Sequence, residues 1–133
     1  MHLIKPIFAL GLTGFVAGFA AAIPPASAAD GANQCFFSSQ FESWRAPDAK
    51  TIFIRVNHHN YYRLDLANAC SALLWPDAHL ITKVHGPDTI CSPLDWDLKV
   101  GQGFPSIPEP CIVKTMTKLS PAEAESIPKK FKP

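Results

Sequence analysis

Apolar and polar residues alternate most clearly between Thr51 and Leu66. Ile52, Ile54 and Val56 alternate with Phe53, Arg55 and Asn57, and Tyr62, Leu64 and Leu66 alternate with Tyr61, Arg63 and Asp65. A period of two is the signature of half-buried strands, so the segment predicts a β-hairpin. Joining the two apolar faces sets Val56 opposite Tyr62, Ile54 opposite Leu64 and Ile52 opposite Leu66, which leaves His58-His59-Asn60 as the loop. A three-residue loop wants a left-handed residue in last place, and Asn60 tolerates that conformation. On the second face of this hairpin Phe53, Arg55, Tyr61 and Arg63 project together, with Arg55 opposite Arg63 and Asp65 diagonal to Arg55.

Elsewhere the pattern is shorter. Ser39-Gln40-Phe41-Glu42 has capping-box spacing and Phe37, Phe41 and Trp44 follow at helical intervals, predicting a helix over Gln40 to Arg45 that Pro47 closes. Asn68 to Leu74 suits about one helical turn. His79 to His85 reads as a strand, Gly86-Pro87-Asp88 as a turn and Thr89 to Ser92 as the returning strand, with another short strand over Asp97 to Val100. Gly101 to Pro110 holds three prolines and reads as a loop. Cys111 to Lys118 alternates as a last strand, and Ser120-Pro121-Ala122-Glu123 opens a short helix that stops at Pro128. Five to six short strands with two or three short helices predict a mainly β fold: a small antiparallel sheet or a partly open barrel.

The first 29 residues change the picture from fold to address. Lys5 is followed by the Gly- and Ala-rich apolar run Pro6 to Ala22, then Pro24-Pro25 and the small residues Ala26-Ser27-Ala28. This is the layout of a secretory signal peptide cut after Ala28 or Ala29, and the run is short for a span of ~30 Å of hydrocarbon. Its removal leaves residues 30–133 as a single domain with no stable membrane anchor, ending in a flexible basic tail at 129–133. Without Lys5, eleven basic residues face eleven acidic ones, which speaks against nucleic acid as a partner. All four cysteines, Cys35, Cys70, Cys91 and Cys111, fall after the leader. An even count in a small exported domain predicts two disulfides and a periplasmic or secreted location.

Cys35-Phe36, a Tyr-rich strand leading to Cys70 and Leu73, Ile90-Cys91, and Cys111-Ile112-Val113 before Leu119 together resemble a family of small exported proteins of Gram-negative bacteria known only as a domain of unknown function. The likeness covers nearly all of the chain after the leader. Members commonly carry an Asp soon after the third cysteine, where this chain has Asp95 four residues on. The resemblance supports the domain extent and the use of the cysteines in pairs, and it implies no catalytic residue. Four cysteines permit three arrangements. Cys70 follows the second hairpin strand and Cys91 lies one hairpin later, so Cys70 with Cys91 and Cys35 with Cys111 is the expected pairing, the latter tying the N-terminal segment to the last strand.

Candidate chemistry is thin. His58 and His59 sit at the hairpin tip and His79 and His85 flank the next strand; solvated turn residues account for them better than a metal site, whose ligands must converge within ~2.0–2.3 Å of one ion. Asp95 and Asp97 lie two apart around Trp96, so in extended backbone their carboxylates share a side and could serve glycoside hydrolysis or hold calcium. A surface turn around a half-buried Trp96 explains them better, since a hydrolase must bury a sugar in a cleft and so small a domain has little mass to build one. With both disulfides formed no thiol is left as a nucleophile. No catalytic, cofactor or metal residue is therefore assigned. The face of Phe53, Arg55, Tyr61 and Arg63 is the best candidate binding surface, since aromatic and Arg residues are enriched at interfaces. The favoured alternative is that a helix or the tail covers it and that Asp65 with Glu42 or Glu123 neutralises the arginines. The expected function is a non-enzymatic exported binding or accessory module for a protein or cell-envelope component. The alternatives are a small inhibitor of a foreign enzyme such as a lysozyme, presenting Gly101 to Pro110, and a small hydrolase using Asp95 and Asp97.

Overall fold

The structure, a computed structural model, describes residues 34–103, 105 and 107–133. The signal peptide expected over residues 1–29 lies outside the described residues. Nine strands are present among those described, together with one short α-helix and several 3₁₀ turns. They form three antiparallel sheets and no closed barrel. The first sheet has the order β2-β3-β4-β9, from Phe41–Asp48, Thr51–Val56, Asn60–Leu66 and Val113–Lys118. The second has the order β5-β7-β8, from His79–Val84, Trp96–Gly101 and Glu109–Pro110. The third pairs only β1 (Phe36–Phe37) with β6 (Thr89–Ile90). A barrel would need an unbroken ladder. Here β9 returns to β4 while β7 turns to β5, so the ladder stops between Cys111 and Val113.

The hairpin forms with the predicted faces and a different register. Ile54 stands opposite Tyr62, Ile52 opposite Leu64 and Val56 opposite Asn60. A shift of two residues keeps every side chain on its own face, so alternation cannot distinguish the registers; the turn does. Asn57 and His58 take positive φ, 48° and 63°, closing the loop over Asn57-His58-His59, and Asn60 enters the strand. Arg55 therefore faces Tyr61, and Arg63 faces Phe53, in place of the opposed arginines expected from the sequence.

Phe41–Asp48 is a strand rather than the predicted helix. It lies along β3 with irregularities between Phe41 and Ser43 and between Arg45 and Asp48. An available ladder partner outweighs the capping pattern, and the only helical turn there is Ser38–Gln40. Thr89–Ile90 does not return against β5. It pairs with Phe36–Phe37, and β5 pairs with β7.

That rearrangement corrects the disulfides. Phe36 is in register with Ile90, so Cys35 and Cys91 stand opposite one another and are bonded, with Cα atoms 4.1 Å apart. Beyond β4 the chain runs beside the approach to β9, where the Ala67 N–H donates to Ile112 O at 2.9 Å. This brings Cys70 to Cys111, the second bond, at 5.8 Å between Cα atoms. The expected Cys70–Cys91 and Cys35–Cys111 pairs are not formed, because they assumed that the Thr89 segment belonged to the β5 hairpin.

The core lies between the inward faces of the two larger sheets. Ile52, Ile54, Val56, Tyr62, Leu64 and Leu66 meet Trp96, Leu98 and Val100, with Phe36 and Ile90 closing one end. Burying each large apolar side chain contributes ~1.5–3 kcal/mol, so this double layer dominates the fold's stability. Phe36 bridges the layers, its ring 5.0 Å from that of Tyr62 and 6.0 Å from that of Trp96. The helix α1 (Pro121–Ser126) forms as predicted. Ser120 Oγ accepts from the Glu123 N–H at 3.3 Å and the Glu123 carboxylate accepts from the Ser120 N–H at 2.7 Å.

Candidate functional site

The outer faces of the two larger sheets have opposite fates. On the four-stranded sheet, Phe53, Arg55, Tyr61 and Arg63 do share a face, and the C-terminal segment lies over it. Arg55 bonds Glu42 at 3.0 Å and also donates to Pro133 O at 3.3 Å. Arg63 bonds Asp65 at 2.8 Å, and the Lys132 ammonium sits 5.5 Å from the centre of the Tyr61 ring. The remaining cavity, about 400 Å³, is walled by Phe53, Arg63 and Asp65 on one side and Glu123 and Ile127 on the other. Residues 129–133, expected as a flexible basic tail, hold Lys129–Phe131 as a 3₁₀ turn and end on a buried Pro133.

Glu42 is the hub of this region. One carboxylate oxygen takes Arg55, and the other accepts from the His58 N–H at 2.8 Å and meets His58 Nδ1 at 2.8 Å. Burial raises the Glu42 pKa, but the His58 N–H, the Arg55 hydrogen bond and the nearby positive charges together outweigh it and hold the carboxyl below its ordinary value. His58 and His59 are exposed at the tip, their rings 6.3 Å apart. Among the described residues no three of His, Cys, Asp and Glu come together in a set that could hold a metal ion.

Asp95 and Asp97 do not act as a pair. Asp95 belongs to the 3₁₀ turn Pro93–Asp95, which ends the extended geometry that would have aligned them. Its Oδ2 accepts from the backbone N–H groups of Cys91 and Ser92, both at 2.8 Å, and these bonds hold its pKa below the ordinary carboxylate range. Asp97, on the exposed side of β7, meets His85 Nε2 at 3.0 Å. Trp96 between them is 4% exposed, not half-buried. Its indole N–H is buried without an acceptor, one of two such side-chain atoms among the described residues.

Sequence reasoning missed the groove of about 390 Å³ beside this tryptophan. Its floor is Trp96 and Leu98 and its rims are Leu94 and Ile112, which are 87% and 64% exposed. His85, Asp97 and Lys99 supply the polar edge. The groove exists because β7 has a two-residue partner in β8 and then only the bond from the Cys111 N–H to Leu98 O, at 2.9 Å, before the chain swings to β4. A signal was available. Ile112 breaks the alternation set by Cys111 and Val113, which are both buried, and so must point outward. No hydroxyl and no free thiol is among the described residues that line the groove.

No known protein family, curated protein or solved structure matches this chain. The geometry itself carries the functional reading. Two disulfides indicate an oxidising, non-cytoplasmic compartment. Among the described residues no helix is long and apolar enough to cross a membrane.

Proposed function

We infer that this chain is a non-catalytic binding module of the periplasm or extracellular space, akin to the small exported Gram-negative family it resembles. It engages a protein or cell-envelope component through the groove on the β7 side. The observation that supports this reading is a pair of exposed aliphatic side chains, Leu94 and Ile112, lining one groove together with charged residues. Exposed large apolar side chains gathered at one place mark interaction surfaces. Hydrolysis through Asp95 and Asp97 has less support, because Asp95 is turned onto the backbone and kept ionised, the wrong state for a general acid. An inhibitory role draws on Ile107, 96% exposed between β7 and β8; the stretch expected as one loop from Gly101 to Pro110 has both its ends in strands.

The test is capture from an envelope extract with the purified protein lacking residues 1–29. Leu94→Asp with Ile112→Asp is expected to lose the captured partner while its melting temperature stays the same or rises, since both side chains already stand in water. Capture of the same partner by the double variant would overturn the groove assignment.

A further inference from the structure

We propose that β5 accepts an extended, acidic segment of a partner protein as an added strand along its free edge. The inference rests on the reading of this chain as a binding module and names a second contact on the same sheet.

The ladder geometry shows which groups are available. Beyond the end of β5 the His85 N–H donates to Asp95 O at 2.7 Å, which fixes the phase of the β5–β7 pairing. Hydrogen-bonded and non-bonded pairs alternate in an antiparallel ladder. His79, Ile81 and Lys83 therefore turn their N–H and C=O groups to Gly101, Lys99 and Asp97 of β7, while Leu80, Thr82 and Val84 turn theirs away from the sheet. No strand pairs on that outer side among the described residues.

The other edges are blunted in ways that β5 is not. β2 is interrupted twice and contains Pro47, and β8 is two residues long and ends on Pro110. β9 has an irregular step opposite Leu66. β5 runs six residues in unbroken register, with neither proline nor bulge. A long, regular, exposed edge is a template for another chain.

The side chains choose the partner. His79, Ile81 and Lys83 project on the exposed face beside Lys99 and Asp97 of β7. Asp97 is engaged by His85, and neither Lys83 nor Lys99 makes an ion pair among the described residues. An added strand with a carboxylate beside Lys83 and an apolar residue beside Ile81 meets both needs, since opposite charges across strands are favourable. A second copy of β5 would bring more cations to the same place, so self-pairing is disfavoured. The His79 ring already lies where a Cβ on Gly101 would stand, which keeps that end of the face flat for an incoming chain.

The probe is a blocked heptapeptide of threonines with valine at its third position and glutamate at its fifth, so that the two share one face of the added strand, and the same peptide with lysine in place of glutamate is its control. In the free protein, amide exchange at Leu80, Thr82 and Val84 should be fast and at Ile81 and Lys83 slow. The acidic peptide should slow exchange at those three positions, and the basic one should not. Lys83→Glu should weaken the acidic peptide about tenfold and favour the basic one. Thr82→Pro removes only an outward N–H, so the fold should persist while binding falls about tenfold or more. No binding of either peptide at millimolar concentration, protection elsewhere than β5, or a dimer that protects the same amides without peptide each overturn the proposal. Loss of peptide binding alongside successful capture through the groove would sink the added strand and leave the module reading standing. Peptide binding with no captured partner would do the reverse.

Discussion

The four-stranded and the three-stranded sheet contribute to one core and differ in everything they show to water. The outer face of the first is laid over by α1 and the segment behind it; Arg55 and Arg63 are answered by Glu42 and Asp65, and Arg45 donates to the Trp44 carbonyl. Among the described residues the outer face of the second has no such cover: Ile81, Lys83 and Lys99 are exposed, the groove rims stand in solvent, and the β5 edge is unpaired. Aromatic and arginine content alone pointed to the first sheet as the binding surface. Once cover and charge pairing are counted, the emphasis moves to the second. Composition nominates a face; what lies on top of it decides.

Breaking the connection between the sheets should have the largest effect. Cys70–Cys111 joins the end of β4 to the chain between β8 and β9 and closes a separation of 41 residues; Cys35–Cys91 staples β1 to β6 across 56. Loop-closure entropy assigns each about 4 kcal/mol as an upper guide, against a typical domain stability of ~5–15 kcal/mol. Cys70 and Cys111 are also buried in the core, so Cys70→Ala with Cys111→Ala leaves a packing defect as well. In urea unfolding that double variant should lose more than Cys35→Ala with Cys91→Ala. The opposite order would mean that the small β1–β6 sheet, and not the junction of the larger two, organises the fold. Non-reducing peptide mapping checks the pairing itself.

A matched pair of truncations sharpens the contrast. Leu64→Ala, in the fully buried face of the first sheet, should cost ~2–5 kcal/mol. Ile81→Ala, on the open face of the second, should change stability by no more than ~0.5 kcal/mol. A loss at Ile81 approaching that at Leu64 would show that the open face is covered in solution, and thermal unfolding of the two variants is enough to tell.

What could be read in advance follows the same division. The inward residues of β3 and β4 were legible because alternation reports burial directly. The hairpin register was not, because a two-residue slip preserves the alternation and only the positive φ of Asn57 and His58 selects between the alternatives. The strand nature of Phe41–Asp48 was hidden by Phe37, Phe41 and Trp44 at helical spacing; an edge strand with two irregularities has no strict period of two. The disulfide pairing depended on Phe36–Phe37, a two-residue strand too short to leave any periodic trace. The groove is formed by a turn residue, Leu94, and a residue between strands, Ile112, which come together only when the chain leaves β7 for β4.

The smallest effect expected is in acid, where Glu42 of the first sheet and Asp95, in the turn that leads into the second, are held below their ordinary pKa. For Asp95 the causes are the N–H groups of Cys91 and then Ser92, which outweigh its partial desolvation. For Glu42 burial opposes the shift, and the His58 N–H and Arg55 more than compensate. A carboxyl whose folded pKa is depressed stabilises the fold fully above its unfolded value, near 3.9 for Asp and 4.3 for Glu, and loses that contribution as pH falls through the folded value. Both groups are solvent-accessible, so screening keeps each contribution small. Asp95→Asn and Glu42→Gln should each lower the melting temperature at neutral pH and flatten its decline below about pH 4. Salt divides them. Asp95 is held mainly by fixed backbone dipoles at short range, and its effect should survive added salt. The Glu42 effect shares a backbone dipole, the His58 N–H, but also draws on the Arg55 guanidinium, and that part should shrink. If salt weakened both equally, the 3₁₀ turn that carries Leu94 to the groove would owe its form to charge rather than to the Cys91 and Ser92 N–H groups.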